Sequence, residues 1–567
     1  STYLIQLVYR YKVGVFMKGN IIRFVMIGLI IVPFVTLYML NRPVTIPPIE
    51  ETHYSSIEKK KEIKLGYAVA ADHPQAVKIG LDVMKNGGNA VDAAIAVSYA
   101  LGVLEPYGSG IGGGGISLVF SPTEDEPIVY DYRETAPLSG YKSEGNIGTP
   151  GFVQGMEKLH HDFGSVPMKD LIEPSVILAQ NGFKVSKTLH NRLKFASYRL
   201  PISKLPQFFP NGTVIAAGRN LKQEDLAKTL RLIQNEGQSI FYNGEIADQI
   251  TDRISGLTAN DLQNYEVLIS KPIRGKFAGF DVFVPPPPSG GIMLIQSLQM
   301  AEQLEIEKTY KTQTDYTILL GQINRRSNQD RINYVGDPDF VNVPIERLLD
   351  MKYAKQLATE ISFDPLSTDY IMNSDTISDI HEHESTTHFV IVDQDGMMVS
   401  TTNTLSEFFG SGIYINGFFL NSQLDNFSVN SHSPNRLQPG KRPFSHITPT
   451  ILAAHNKPVI GIGSAGGRRI PTVLAQVLTK GLKFNIPLNQ AIKEDRFYMN
   501  VSDNKVAVEG RISKNFKQQL NQRGYRIDQS FTSTYYGSVH SLIIDYANGK
   551  IYGASDYRRN GSSTVVE

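Results

Sequence analysis

The chain has 567 residues, a formal net charge of +1 and 41% hydrophobic residues. That is ample for a buried core, and the balanced charge, with no nucleic-acid-binding motif, argues against a nucleic-acid partner. Cysteine is absent, which excludes disulfides, thiolate metal sites and a cysteine nucleophile.

Arg10, Lys12, Lys18 and Arg23 precede an uncharged apolar run over residues 24–40. Such a run can just cross a bilayer core, and the basic flank places residues 1–23 in the cytoplasm. No small-x-small cleavage site follows it, so it reads as an uncleaved, single-pass membrane anchor with the catalytic part outside the cell. Residues 41–62, rich in Pro, Glu and Lys, read as a linker. The pattern predicts helix over residues 74–104, broken at Asn86, Gly87 and Gly88, then a glycine-rich loop at 108–115 leading into a strand at 116–120. Residues 168–268 read as mostly helical. A strand at 282–284, prolines 285–288 and a helix at 292–304 follow. Residues 361–385 read as polar and mobile, and beyond them the chain reads as β. No internal repeat is found, which favours one large α/β unit over several modules.

From His383 the sequence runs HESTTHFVIVDQDGMMVSTTNTLS. Residues 388–392 and 397–402 read as strands joined by a turn at 393–396, where Asp395-Gly396 is a strong hairpin signal. This register sets Thr386 opposite position 403, 404 or 405, so Thr404 lies within one position of it. Facing threonines are ordinary in sheets and do not by themselves make a catalytic site.

Further motifs lie in a fixed order. They are Asn86 to Asp92, Ser109 to Gly114, Asp131-Tyr132-Arg133-Glu134, Thr386-Thr387-His388, Thr404, Asn421-Ser422-Gln423, Lys441-Arg442-Pro443 and Gly463 to Gly467. With these, the chain from about Leu65 onward resembles the γ-glutamyltranspeptidases. The resemblance implies an α+β fold of the N-terminal-nucleophile hydrolase type, a four-layer αββα sandwich. It also implies a proenzyme that cuts itself between Ser385 and Thr386 into a large chain, 63–385, and a small catalytic chain, 386–567, that stay associated. A threonine hydroxyl is a weak nucleophile and needs a base. The α-amine freed on Thr386 would supply one, since its ordinary pKa of about 7.7–8.0 leaves a useful unprotonated share near neutral pH. By the same resemblance Thr404 would bond to the Thr386 hydroxyl, Gly466 and Gly467 would form the oxyanion hole, and Arg133 would hold the donor α-carboxylate as a bidentate pair. No cofactor and no metal is expected.

Relatives acting on glutathione carry an acidic residue where this chain has Asn426, in the run Gln423-Leu424-Asp425-Asn426. An amide cannot pair with an ammonium as a carboxylate does, but it can meet an amide N–H. Poly-γ-glutamate keeps free α-carboxylates and has acylated α-nitrogens, so this combination fits the polymer. The short connection at 428–440, without a lid, leaves room for it, and Arg468, Arg558 and Arg559 are candidates to follow a polyanion. Residues 148–153 and 556–561 add to a likeness with the capsule-processing, CapD-like branch. The expected partners are therefore a γ-glutamyl substrate (the polymer or glutathione) and an amine or water acceptor. Ser445 and Ser406 stand at substrate-contact positions, each in a context that departs from glutathione-acting relatives. Two other classes stay open: a glutathione hydrolase scavenging small peptides, and a non-catalytic binding protein on the same fold.

Three weaker signals are set aside. Residues 108–113 satisfy G-x-G-x-x-G but follow a helix and precede a strand, the reverse of a dinucleotide site, so tight packing beside the active site is the expected role. His381, His383 and His388 with Glu382 and Glu384 fit no zinc spacing. The four prolines read as shaping a loop rather than binding a partner.

Overall fold

The structure is a computed structural model, and it describes residues 65–366 and 384–567, all within one compact unit. Residues 1–64, on which the expected anchor and linker fall, and residues 367–383 lie outside the described residues. Among those described, no helix is long and apolar enough to cross a membrane.

After β1 (Tyr67–Ala71) come helices α1 (Pro74–Lys85) and α2 (Ala90–Leu104). Their break follows the expected signal, with Gly87 at φ 96° ending the first. The second starts on a capping box in which Asn89 and Asp92 satisfy each other's backbone N–H groups. The α2 helix is apolar on almost every side and is buried nearly throughout, as a helix between layers must be. Strands β2 (Gly114–Phe120) and β3 (Ile128–Asp131) follow, then α3 (Phe152–Phe163), α4 (Met168–Asn181) and short strand β4 (Leu268–Ser270). Next are β5 (Ile273–Phe277), β6 (Phe280–Val284), α5 (Gly291–Gln303) and α6 (Gln313–Tyr334). The later half adds β7 (Glu384–Val392), β8 (Met398–Glu407), β9 (Thr450–Ala454), β10 (Lys457–Ala465), α7 (Ile470–Leu482), β11 (Ser538–Asp545), β12 (Lys550–Ser555) and β13 (Ser562–Val566).

Two antiparallel sheets stack face to face. One has the order β13-β1-β7-β8-β2-β3-β4, the other β12-β11-β10-β9-β6-β5. Helices α1 to α3 cover the outer face of the first, with α4 on α2. Helices α5 and α7 cover the second, with α6 on α5. Four layers result, as expected. With both faces covered, β2, β8 and the described part of β7 are buried along almost their whole length.

Two expectations need correction. The hairpin strands are longer than read: β7 starts at Glu384, not 388, and β8 runs to Glu407, not 402. Their extensions are Ser- and Thr-rich, so no apolar alternation marked them, and Glu384 and Ser385 are strand rather than part of a mobile segment. Nor is the chain beyond 385 purely β, since α7 and the helix Lys514–Gln522 lie within it.

Candidate active site

The hairpin turn works as its sequence implies. Asp393 Oδ1 accepts the N–H groups of Asp395 and Met397, and Gly396 adopts φ 86°. This fixes the register, in which Thr404 stands directly opposite Thr386. His388, two residues on, turns its N–H away from β8 toward Asp72. Antiparallel pairs alternate, so Thr386 and Thr404 form a non-hydrogen-bonded pair with their side chains at close range.

A bulge interrupts β8 between Thr404 and Ser406, opposite the Ser385–Thr386 peptide bond. Ser406 there takes φ 75°, a strained value for a side-chain-bearing residue. Its N–H donates to Thr404 Oγ1 at 2.9 Å, and that hydroxyl donates to the Ser385 carbonyl at 2.7 Å. In the intact chain Thr404 therefore grips the carbonyl of the Ser385–Thr386 bond. The resemblance places the Thr404 hydroxyl on that of Thr386 in the cut enzyme; in the intact chain it bonds to this carbonyl, because the bulge removes the backbone donor that the carbonyl would otherwise meet.

Thr386, His388 and Val390 share the face turned to the second sheet. His388 sits over Gly463, where any Cβ would strike the imidazole, and Val390 sits over Gly461. His388 shares a hydrogen bond with Thr402 Oγ1 at 2.9 Å, and burial pushes its pKa down to about 3, so it is neutral. β10 ends on this face. Gly466 (φ 140°) and Gly467 (φ 58°) both take conformations that favour glycine, and they turn the chain into the short helix Gly467–Arg469 that packs against β7. The opposite face of β7 meets the glycine-rich loop. A side chain at Gly108 would press on Ser385 and Thr387, and one at Gly113 on the Thr404 carbonyl. The G-x-G-x-x-G run is thus a packing device around the Ser385–Thr386 bond.

The residues expected to bind substrate gather only partly. Ser406 Oγ lies 3.4 Å from Asn426 Oδ1, which joins two of them to the bulge. The Gln423 side-chain amide is buried with no protein partner. Arg133 is fully buried. It donates to both oxygens of Asp131, at 2.9 and 2.5 Å, and to the carbonyls of Pro288 and Pro443. Its bidentate face is therefore already closed on Asp131, which leaves little of the guanidinium for a ligand. The Pro288 carbonyl also accepts the Ser445 N–H, so the proline loop anchors Arg133 and Ser445 together. Beside them Glu134 is buried with neither oxygen bonded, and burial lifts its pKa to about 8.

The model of the gamma-glutamyltranspeptidase family matches residues 76–566. The chain belongs to this family. Within it the chain is 42% identical to the capsule biosynthesis protein CapD proenzyme of Bacillus anthracis, over 88% of this chain and 90% of that protein. It is 34% identical to a glutathione hydrolase proenzyme of Bacillus subtilis, over 90% and 94%. A cephalosporin acylase from Bacillus halodurans superposes with a TM-score of 0.79 at 25% identity, over 92% of this chain and 100% of that one. The transpeptidase reading of the sequence thus holds: this is a self-processing γ-glutamyl transferase and hydrolase on that α+β fold.

Two expectations about charge do not survive. Arg558 is buried on Glu509 and Asp556, and Arg559 is buried with Nη1 3.3 Å from the Thr386 carbonyl. Neither reaches a polyanion in solvent; a pair of adjacent cations near a chain end gave no hint of its internal partners. Arg468 is half-buried over the Tyr498 ring. Of the metal candidates, His388 is bonded to Thr402, while His381, Glu382 and His383 lie outside the described residues. Sequence reasoning missed the buried Asp72, Glu105 and His540; Asp72 accepts the His388 N–H and bonds to His540. Asp72 and His540 lie hundreds of residues apart in the chain, and no local pattern marks them.

Proposed function

We propose that Thr386 is the nucleophile of a self-cleaving γ-glutamyl transferase whose donor is poly-γ-glutamate. The observation that carries the first part is the Thr404 hydroxyl on the Ser385 carbonyl, 2.7 Å away and opposite Thr386. That bond polarises the carbonyl that must be attacked.

Self-cleavage then follows in two steps. The Thr386 Oγ attacks the Ser385 carbonyl carbon. A C–O bond forms, the C–N bond breaks, and the hydroxyl proton ends on the Thr386 nitrogen. Water next hydrolyses the ester, which leaves a Ser385 carboxylate and restores the Thr386 hydroxyl. In turnover the new amine takes the hydroxyl proton as Oγ attacks the γ-carbonyl of the donor. The N–H groups of Gly466 and Gly467 face the oxyanion, and the leaving amine departs with the proton. An incoming amine or water reverses the sequence. Residues 63–385 and 386–567 are the two chains of the mature enzyme. Gln423, Asn426, Ser406 and Ser445 contact the donor, and Arg133 contributes through the part of its guanidinium not held by Asp131.

The polymer reading rests on the amide at Asn426, linked to Ser406 in place of an acid, and on 42% identity to a capsule protein. The apolar run at 24–40 would hold the enzyme at the cell surface, where such a polymer is handled; extraction of the full-length chain by alkaline carbonate would argue against that anchor. Intact mass spectrometry tests the core claim. The wild type should give fragments that split before Thr386, and Thr386→Ala should remain whole and inactive. Side-by-side assays with poly-γ-glutamate and glutathione test the donor. A clear preference for glutathione would favour the hydrolase reading that the Bacillus subtilis relative suggests.

A further inference from the structure

β1 leaves the first sheet after Ala71, because His73 and Pro74 open helix α1. β7 continues past that point, through His388, Thr387 and Thr386 to Glu384. In an antiparallel strand the N–H and C=O of one residue point to the same edge, as do those of the residue two away. The edge of β7 that β1 abandons therefore carries the His388 N–H, the Thr386 carbonyl and the Thr386 nitrogen. Two buried side chains meet it. Asp72 Oδ2 accepts the His388 N–H at 3.1 Å, and Arg559 donates to the Thr386 carbonyl at 3.3 Å. Asp72 Oδ1 in turn accepts from His540 Nε2 at 2.8 Å, with both side chains fully buried.

We propose that the Asp72–His540 pair is a positioning element for Thr386, standing in for the strand neighbour that β1 withdraws. The inference rests on the reading of Thr386 as nucleophile. Cleavage makes Thr386 a chain end whose own backbone groups point away from β8, and such an end frays unless that open edge is held. Asp72 holds it through His388, and His540 fixes the orientation of Asp72. The carboxylate also sets the charge around the freed amine, which emerges on this edge beside Arg559. The other groups facing the cluster are Glu105 and Tyr107 from the loop after α2, Arg192 from the helix Lys187–Ala196, and His388 from β7. Burial pushes the Asp72 carboxyl upward, but His540 and Arg559 outweigh it and keep the group ionised.

Asp72→Asn keeps the shape but places an N–H₂ against a group that already donates. The expected result for the folded, cut enzyme is a kcat at least tenfold lower with the donor KM within twofold. The acid limb of its pH profile should move to lower pH, because a negative charge near the amine is gone. His540→Gln keeps a donor and should retain more kcat than His540→Leu. That pair decides the matter if Asp72→Asn does not fold. Thr386→Ala is measured alongside. If it still cuts and turns over, the parent reading fails. If it is inert while Asp72→Asn keeps wild-type kcat and pH profile, or while Gln and Leu at position 540 behave alike, this inference alone is overturned.

Discussion

Thr404 holds the Ser385 carbonyl with one hydroxyl, and that hydroxyl is aimed because the Ser406 N–H occupies its oxygen. Thr404→Val should slow self-cleavage by about 100- to 1000-fold, the range seen when one oxyanion donor is lost. Thr404→Ser should cut at close to the wild-type rate. A time course by intact mass reads both. Asn426→Asp should raise glutathione turnover relative to polymer, since a carboxylate can pair with a free ammonium. An unchanged ratio in paired assays would remove the specificity argument. Glu134 offers a pH test. Its ordinary value of 4.5 rises to about 8 on burial, so the folded chain keeps a proton that the unfolded chain releases. Stability should therefore fall between pH 4.5 and 8, by about 1.4 kcal/mol per pH unit at most, and level off above. Glu134→Gln should melt higher than wild type at pH 8 and no higher at pH 5.

The strands around the site are glycine-lined because two sheets and a loop approach one peptide bond. Gly463 leaves room for the His388 ring, and Gly113 and Gly115 let β2 lie against the carbonyls of Thr404 and Thr402. Gly463→Ala has no flexible neighbour to yield, since the imidazole is buried between sheets. The expected cost is about 1–3 kcal/mol of stability, with slower cutting as His388 and the residues beside it shift. Thermal melting and the cleavage time course should move together. The hairpin itself was legible in the sequence from Asp395-Gly396 and the flanking apolar runs. The bulge was not, because nothing in Thr404-Leu405-Ser406 requires an extra residue until the loop at Gly108 takes the Leu405 N–H.

On the scale of the molecule, β7, on which the proposed cut falls, and β8 sit between β1 and β2 from the first half of the chain. The cut fragments should elute as one species and separate only in denaturant; separation under native conditions would contradict this topology. The sequence by itself determined the helix–break–helix start, the hairpin that brings Thr404 within one position of Thr386, and the order of motifs that names the family, because each is written in local turn chemistry, periodicity or motif residues; the exact register came with the structure. Tertiary structure alone decided that Arg133 is clasped by Asp131, that Arg558 and Arg559 are internal, and that His540 meets Asp72 at the His388 N–H. Those facts depend on which distant side chains share a low-dielectric interior, and an ionisable residue shows no sign of its eventual partner until the layers close around it.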